Sequence, residues 1–137
     1  MNRMDFQRLS RARLREARKL LRGGEPSGSY YLSGYAIECG LKSCIASHVR
    51  KSEFPVKQTV LDSYNHDLEK LVGTAGLTVP LQQARKADSR FHANWMVVKD
   101  WRVDSRYEMR TKKQAGDMIK AIDDPNHGVM QWIMRYW

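Results

Sequence analysis

From Tyr30 to Val49 the chain runs for twenty residues with only two charges, Glu38 and Lys42, in a protein whose residues are 28% charged. The stretch reads YYLSGYAIECGLKSCIASHV. On a helix turning about 100° per residue its apolar side chains fall on every side, which predicts a long second helix surrounded by other elements. A buried carboxylate is costly unless paired, so Glu38 calls for a cation brought by another helix, and Lys42, one turn on, meets that need only in part. A membrane span is the rival reading; Glu38, Lys42, His48 and the Gly/Ser content oppose it.

The rest of the pattern also has helical periods. A first helix over about 5 to 22 ends at Gly23-Gly24, and Pro26-Ser27 starts the second, which ends near Arg50. Residues 51 to 64, with Pro55, read as a loop or irregular turn. Asn65 is positioned to cap a short helix, HDLEKLVGTA, whose first turn holds Asp67 and Glu69 as the helix dipole prefers, and Gly76 ends it. Thr78 and Pro80 open another long helix to about Trp101, with Leu81, Ala84, Asp88, Phe91, Trp95 and Val98 at alternating spacings of 3 and 4; Asp88 interrupts that seam. The pattern breaks over 102 to 110. Thr111 and Gln114 then form a capping box for a helix carrying Ala115, Met118, Ile119 and Ile122, and Asp124-Pro125 starts the last helix, with Val129, Met130, Ile133 and Trp137 inward. No alternating β pattern is present. Short connections predict an all-α fold, an up-down antiparallel bundle of four to five main helices in one domain, 1–137.

Charge changes the picture at the first helix. The net charge is +9, and residues 1 to 22 hold eight Arg or Lys against Asp5 and Glu16, leaving +6 of it there. Arg8, Arg11, Arg15, Arg18 and Arg22 fall on one face, opposite Phe6, Leu9, Leu14, Ala17, Leu20 and Leu21. That basic ridge suits phosphate backbones or an anionic partner surface, or is simply the solvated outer face of a bundle helix. Arg13 falls within the apolar arc and is a candidate partner for Glu38. Cys39 and Cys44 are too few for a disulfide framework and lack zinc-site spacing, so they read as reduced core residues. The N-terminus has no apolar h-region, and Asp5 and Glu16 do not suit a transit peptide; a cytoplasmic location is expected.

Four pieces in order, RARLREARKLL, YYLSGYAIECGLKSCIA, HDLEKL at 66–71 and SRYEM at 105–109, resemble the HEPN domain family, small helical bundles found mostly in prokaryotes. The similarity spans nearly the whole chain. It implies a homodimeric bundle that binds nucleotides or RNA, often encoded beside a minimal nucleotidyltransferase partner in toxin–antitoxin pairs. Some members are metal-independent RNases with an Arg followed after four to six residues by His. Such cleavage needs a base for the 2'-OH and a cation for the phosphorane. Here the corresponding stretch begins at Arg102 and offers Tyr107 where His would stand. A tyrosine with an ordinary pKa near ~10 is a poor base at neutral pH, so the resemblance does not carry RNase chemistry onto these positions. The one Arg-x6-His match is Arg85 with His92, two turns apart inside the expected long helix and about 10 Å apart along its axis.

No cofactor is implied, since the phosphate-binding pattern GxxxxGKS is absent. Nor is a metal site: His66 is expected in the first turn of its helix, and His48 and His127 are isolated. The aromatics Tyr30, Tyr31, Tyr35, Trp95, Trp101, Tyr107, Trp132, Tyr136 and Trp137 suit core or dimer contacts, or base stacking. These readings predict a non-catalytic nucleotide- or RNA-binding domain. Its expected site is a cleft where Glu38 and Lys42 meet Arg102, Arg106 and Tyr107, with Lys42 and the arginines on phosphate and Tyr35 or Tyr107 on the base. A buried Glu38–Arg106 pair that only fixes helix register, an endoribonuclease toxin, and a bundle used solely for dimerisation or partner docking are the alternatives.

Overall fold

The computed structural model describes residues 1–49 and 53–137. Its elements are α1 (Arg3–Arg22), α2 (Pro26–Ser47), α3 (Lys57–Ser63), α4 (Leu68–Thr74), α5 (Thr78–Ala87), α6 (Ser89–Val98), a 3-10 segment (Val103–Tyr107), α7 (Lys112–Asp123) and α8 (Val129–Ile133). All of this secondary structure is helical, as the pattern predicts. Among the described residues no helix is long and apolar enough to cross a membrane.

α2 is the central element and packs against α1, α4, α7, α8 and the 3-10 segment. Its Ile37, Leu41 and Cys44 are fully buried, together with Leu68 and Leu71 of α4, Met118 and Ile122 of α7, and Val129 and Ile133 of α8. Each such aliphatic side chain contributes roughly 1.5–3 kcal/mol through burial. α1 and α2 form an antiparallel hairpin whose seam is made of small residues. The Ser43 hydroxyl donates to the Arg3 carbonyl, Ser10 to Ala36 and Ser29 to Ala17, at 3.2, 2.7 and 2.8 Å. These contacts step by seven residues in opposite directions along the two helices, so the same faces meet every second turn. Gly24, at φ +80°, makes the tight turn between them, a conformation glycine adopts without strain.

Several boundaries differ from the sequence expectation, each for a local reason. The long helix expected from Thr78 to Trp101 is two helices. Asp88 takes extended backbone, φ −140° and ψ 103°, and its carboxylate accepts from the Arg90 and Phe91 amides, so it caps α6 instead of continuing α5. Within the segment expected as loop from 51 to 64, residues 57–63 form α3, which buries none of its side chains; residues 51 and 52 lie outside the described residues. α2 ends at Ser47, and Arg50, its expected end, likewise lies outside them. Asp67, not Asn65, caps α4; Asn65 instead accepts from the Asp67 amide in a turn. α8 starts at Val129, because the Asp124 carboxylate accepts from the Asn126 and His127 amides and closes a turn there. At the first helix an Asn2–Asp5 capping box extends α1 back to Arg3. The Thr111–Gln114 capping box forms as expected.

Candidate nucleic-acid interface

Tyr31, Tyr35, Glu38 and Lys42 are spaced 4, 3 and 4 along α2, which places them in one stripe. The neighbours of that stripe are the turn before α4, with Asn65, His66 and Asp67, and the segment from Lys99 to Tyr107. Trp101, fully buried, fixes the second of these by packing on α2. Its ring stacks on Tyr31 with centroids 6.0 Å apart, and Tyr31 stacks in turn on Tyr35 at 6.2 Å. Opposite the indole is Gly34, where any side chain would collide with the ring.

Glu38 is buried, with 1% of its side chain exposed, as its sequence context predicts. Its partners are not the expected ones. Neither Arg13 nor Arg106 lies within ion-pair distance; Oε1 accepts from Lys42 Nζ at 2.8 Å and from His66 Nδ1 at 2.7 Å. Arg13 pairs instead with Glu16 one turn along α1, at 2.9 Å. The 3-10 winding of 103–107 carries Arg106 beside Tyr31 and Tyr107, two turns from Glu38 along α2. The second carboxylate oxygen, Oε2, is buried without a hydrogen-bond partner. His66 precedes the cap of α4 instead of standing in its first turn, and that placement lets its ring reach back to α2.

The cleft anticipated from sequence is therefore assembled in part. Lys42 and Glu38 meet His66, and the next residue, Asp67, lies 3.8 Å from the guanidinium of Arg102. Arg102 also donates to the Trp101 carbonyl at 3.1 Å and keeps about half of its side chain exposed (53%). The Arg106 guanidinium lies over the Tyr107 ring at 4.8 Å, and hydrogen bonding to Tyr107 pushes its pKa further up from an already high value. Tyr107 is 77% exposed. Tyr35 is half-buried, and burial raises its hydroxyl pKa, with the neighbouring Cys39 and Glu38 adding to the rise. The result is a stripe of aromatic faces beside two exposed guanidiniums, with a polar cluster at one end. Guanidiniums and aromatic rings are the groups with which nucleic-acid-binding proteins hold phosphates and stack bases.

Arg85 and His92 are much closer than a continuous helix would hold them. Across the break at Asp88 between α5 and α6, Arg85 Nε donates to His92 Nδ1 at 3.0 Å. His127 is not isolated either. Its Nδ1 lies 2.6 Å from Asp88 Oδ2, and this bond, ahead of the cap bonds from Phe91 and Arg90, holds the Asp88 carboxyl below its ordinary pKa.

The basic ridge is thinner than the spacing implies. Arg8, Arg11, Arg15 and Arg22 are exposed, but Arg18 makes a two-pronged ion pair with Asp123 of α7 at 2.6 and 2.7 Å, and Arg11 lies over the Trp137 ring at 4.8 Å. The hydrogen bond with Asp123 raises the Arg18 pKa further. This side of α1 is thus partly an inner face, because α7 and the chain end pack beside it; Arg3 and Gln7 both donate to the Trp137 carbonyl at 2.9 Å.

His66 was not expected at this cleft, and Tyr31 was expected only among the aromatics suited to core, dimer or stacking contacts. The signal for His66 was the unmet need of Glu38 for a cation or donor, and the signal for Tyr31 was its place on the stripe of Tyr35, Glu38 and Lys42. Comparison of the chain with protein-family models, with curated proteins and with solved structures found no match.

Proposed function

We propose that this chain binds RNA, at the face of α2 carrying Tyr31, Tyr35 and Lys42 and at the neighbouring 102–107 segment, and that it does so without cleaving it. The supporting observation is the pairing of exposed Arg102 and Arg106 with the Tyr107 ring and the Tyr31–Tyr35 stack on one side of the molecule. Guanidiniums of this kind hold phosphates, and each base stacked on an aromatic ring adds roughly 1–3 kcal/mol. The net charge of +9 draws polyanions from a distance. The test is fluorescence anisotropy with a labelled single-stranded RNA over a salt series, with free nucleotides as competitors. Affinity should fall as salt rises, and the Arg102→Ala/Arg106→Ala variant should bind more weakly with a flatter slope. Arg18→Ala, already committed to Asp123, should leave the slope unchanged. Binding that ignores both the variant and the salt would refute the reading.

A cleaving enzyme is the second reading, and the Arg85–His92 contact favours it. The same contact also limits it. Because Arg85 Nε donates to Nδ1, the neutral ring carries its proton on Nε2, so in this arrangement His92 has no free lone pair with which to take a proton. Native protein and His92→Ala should both leave RNA intact with metals chelated; cleavage by the native protein alone would restore the enzyme reading.

A homodimer is supported by exposed apolar side chains. Met1, Val49 and Tyr64 line a cleft of about 750 Å³ between the ends of α1 and α2 and α3; close by in the chain Phe54 is almost fully exposed and Val56 exposed. Light scattering after size-exclusion chromatography gives the mass directly, and a monomer at all concentrations would exclude it.

A further inference from the structure

The Glu38–His66 pair fixes which nitrogen of the imidazole faces outward. Glu38 is 1% exposed, and its Oε1 also accepts from Lys42 Nζ at 2.8 Å, so this oxygen acts as an acceptor. His66 Nδ1, 2.7 Å from the same oxygen, must therefore be the donor. In the neutral ring the proton is then on Nδ1, and Nε2 carries a lone pair. Half of the His66 side chain is exposed (50%), and the bond to the buried carboxylate is made through Nδ1, which leaves Nε2 for an outside ligand. No other group of the described residues bonds to Nε2. The surface thus presents a hydrogen-bond acceptor of fixed direction among donors: Lys42 shares the oxygen that holds His66, and Arg102 is within ion-pair range of Asp67, the next residue.

An acceptor among phosphate-binding cations selects a ligand that carries a donor next to its phosphate. The ribose 2'-OH is that donor. It is bonded to the carbon beside the one bearing the 3'-phosphate, and deoxyribose lacks it. We propose that His66, held by Glu38, accepts a hydrogen bond from a ribose 2'-OH and thereby makes this site prefer RNA to DNA. The inference rests on the RNA-binding reading above, adds a specificity-determining residue to it, and involves no bond making or breaking.

The test uses the full chain at about pH 8. Four oligonucleotides of one sequence are compared by anisotropy: RNA, DNA, 2'-O-methyl RNA, whose oxygen can accept but not donate, and 2'-fluoro RNA, which keeps the RNA sugar pucker without a donor. The native protein should bind RNA about three- to tenfold more tightly than the other three, the range expected for one hydrogen bond. His66→Ala should bind all four alike, near the native affinity for 2'-fluoro RNA, with the salt slope unchanged because no phosphate contact is lost. Equal native affinity for RNA and 2'-fluoro RNA would overturn the proposal while leaving RNA binding intact. An RNA preference that survives His66→Ala would overturn it too, by placing the discrimination elsewhere. Failure of native protein to bind any of the four would overturn the RNA-binding reading, and this inference with it. Imidazole nitrogen shifts of the unliganded native protein give a check that needs no variant: they should report the Nδ1–H tautomer for His66, and an Nε2–H tautomer would contradict the proposal.

Discussion

Replacing Gly34 by alanine is the sharpest perturbation of the site's framework. A Cβ at position 34 would fall on the indole of Trp101, which is fully buried. Carbon atoms pack at about 3.5–4.0 Å, and the added methyl would stand about 1 Å or more inside that range. The indole has little room to yield, because its other contacts include the Tyr31 ring at 6.0 Å between centroids. Overpacking in well-filled cores costs typically ~1–3 kcal/mol, and a rigid, buried indole puts Gly34→Ala at the upper end, about 3 kcal/mol. For a domain of this size that corresponds to a fall in Tm of roughly 10 °C. Gly116→Ala is the matched control. Gly116 lies in the middle of α7 with open space around its Cα, so alanine there should stabilise by ~0.5–1 kcal/mol through helix propensity and a less flexible unfolded chain. Urea and thermal denaturation of both variants make the measurement. Trp101 is followed directly by Arg102, so Gly34→Ala should also weaken RNA binding at temperatures where the variant remains folded. A Gly34→Ala melt within 1 °C of native, or one that matches Gly116→Ala, would refute this account of how α2 fixes the 102–107 segment.

Three further outcomes follow from particular contacts. Glu38→Gln should destabilise by about 1–3 kcal/mol, less than the loss of a fully buried pair, because Lys42 and His66 are 15% and 50% exposed and reach water once the charge is gone; an unchanged urea midpoint would contradict the pairing. Asp88 has its pKa lowered in the fold, so on acidification the unfolded chain takes up this proton first; its stabilising contribution is complete above the ordinary Asp value of about 4 and is lost as pH falls through the lower folded value. Asp88→Ala should accordingly lower the Tm at neutral pH and flatten its acid limb, and parallel Tm-against-pH curves for variant and native protein would contradict this. Burial pushes the Cys39 and Cys44 thiols up to about 12, so a thiol reagent should leave both unmodified in native protein and modify both in denaturant; rapid reaction of the native protein would show that α2 is not enclosed as described.

The helical class and the enclosure of α2 were legible because they rest on periodicity over long stretches. Thr111 and Gln114 announced their capping box because cap chemistry is local. The break at Asp88 was visible only as a polar residue in an apolar seam. What converts that irregularity into a helix start is the carboxylate turning back onto two amides and onto His127, a residue far along the chain. The burial of Glu38 could be read from the shortage of other charge around it, but its partner could not. Arg13 and Arg106 answered the need for charge, whereas the answer in space was His66, brought in by a turn whose path depends on Asn65 and Asp67. The ridge of α1 illustrates the same limit. Spacing aligned five arginines, but only the position of α7 shows that Arg18 is spent on Asp123.

The measurement that bears most directly on the central claim is the location of bound RNA on the protein. Single-stranded RNA carrying photoreactive 4-thiouridine, cross-linked to native protein and mapped by peptide mass spectrometry, should mark Tyr31 or Tyr35 of α2 and Tyr107 of the 3-10 segment, and the marks should fade in the Arg102→Ala/Arg106→Ala variant. Cross-links confined to residues 8–22, or spread without dependence on Arg102 and Arg106, would contradict the claim that the stripe on α2 and the segment beside it form the RNA-binding face.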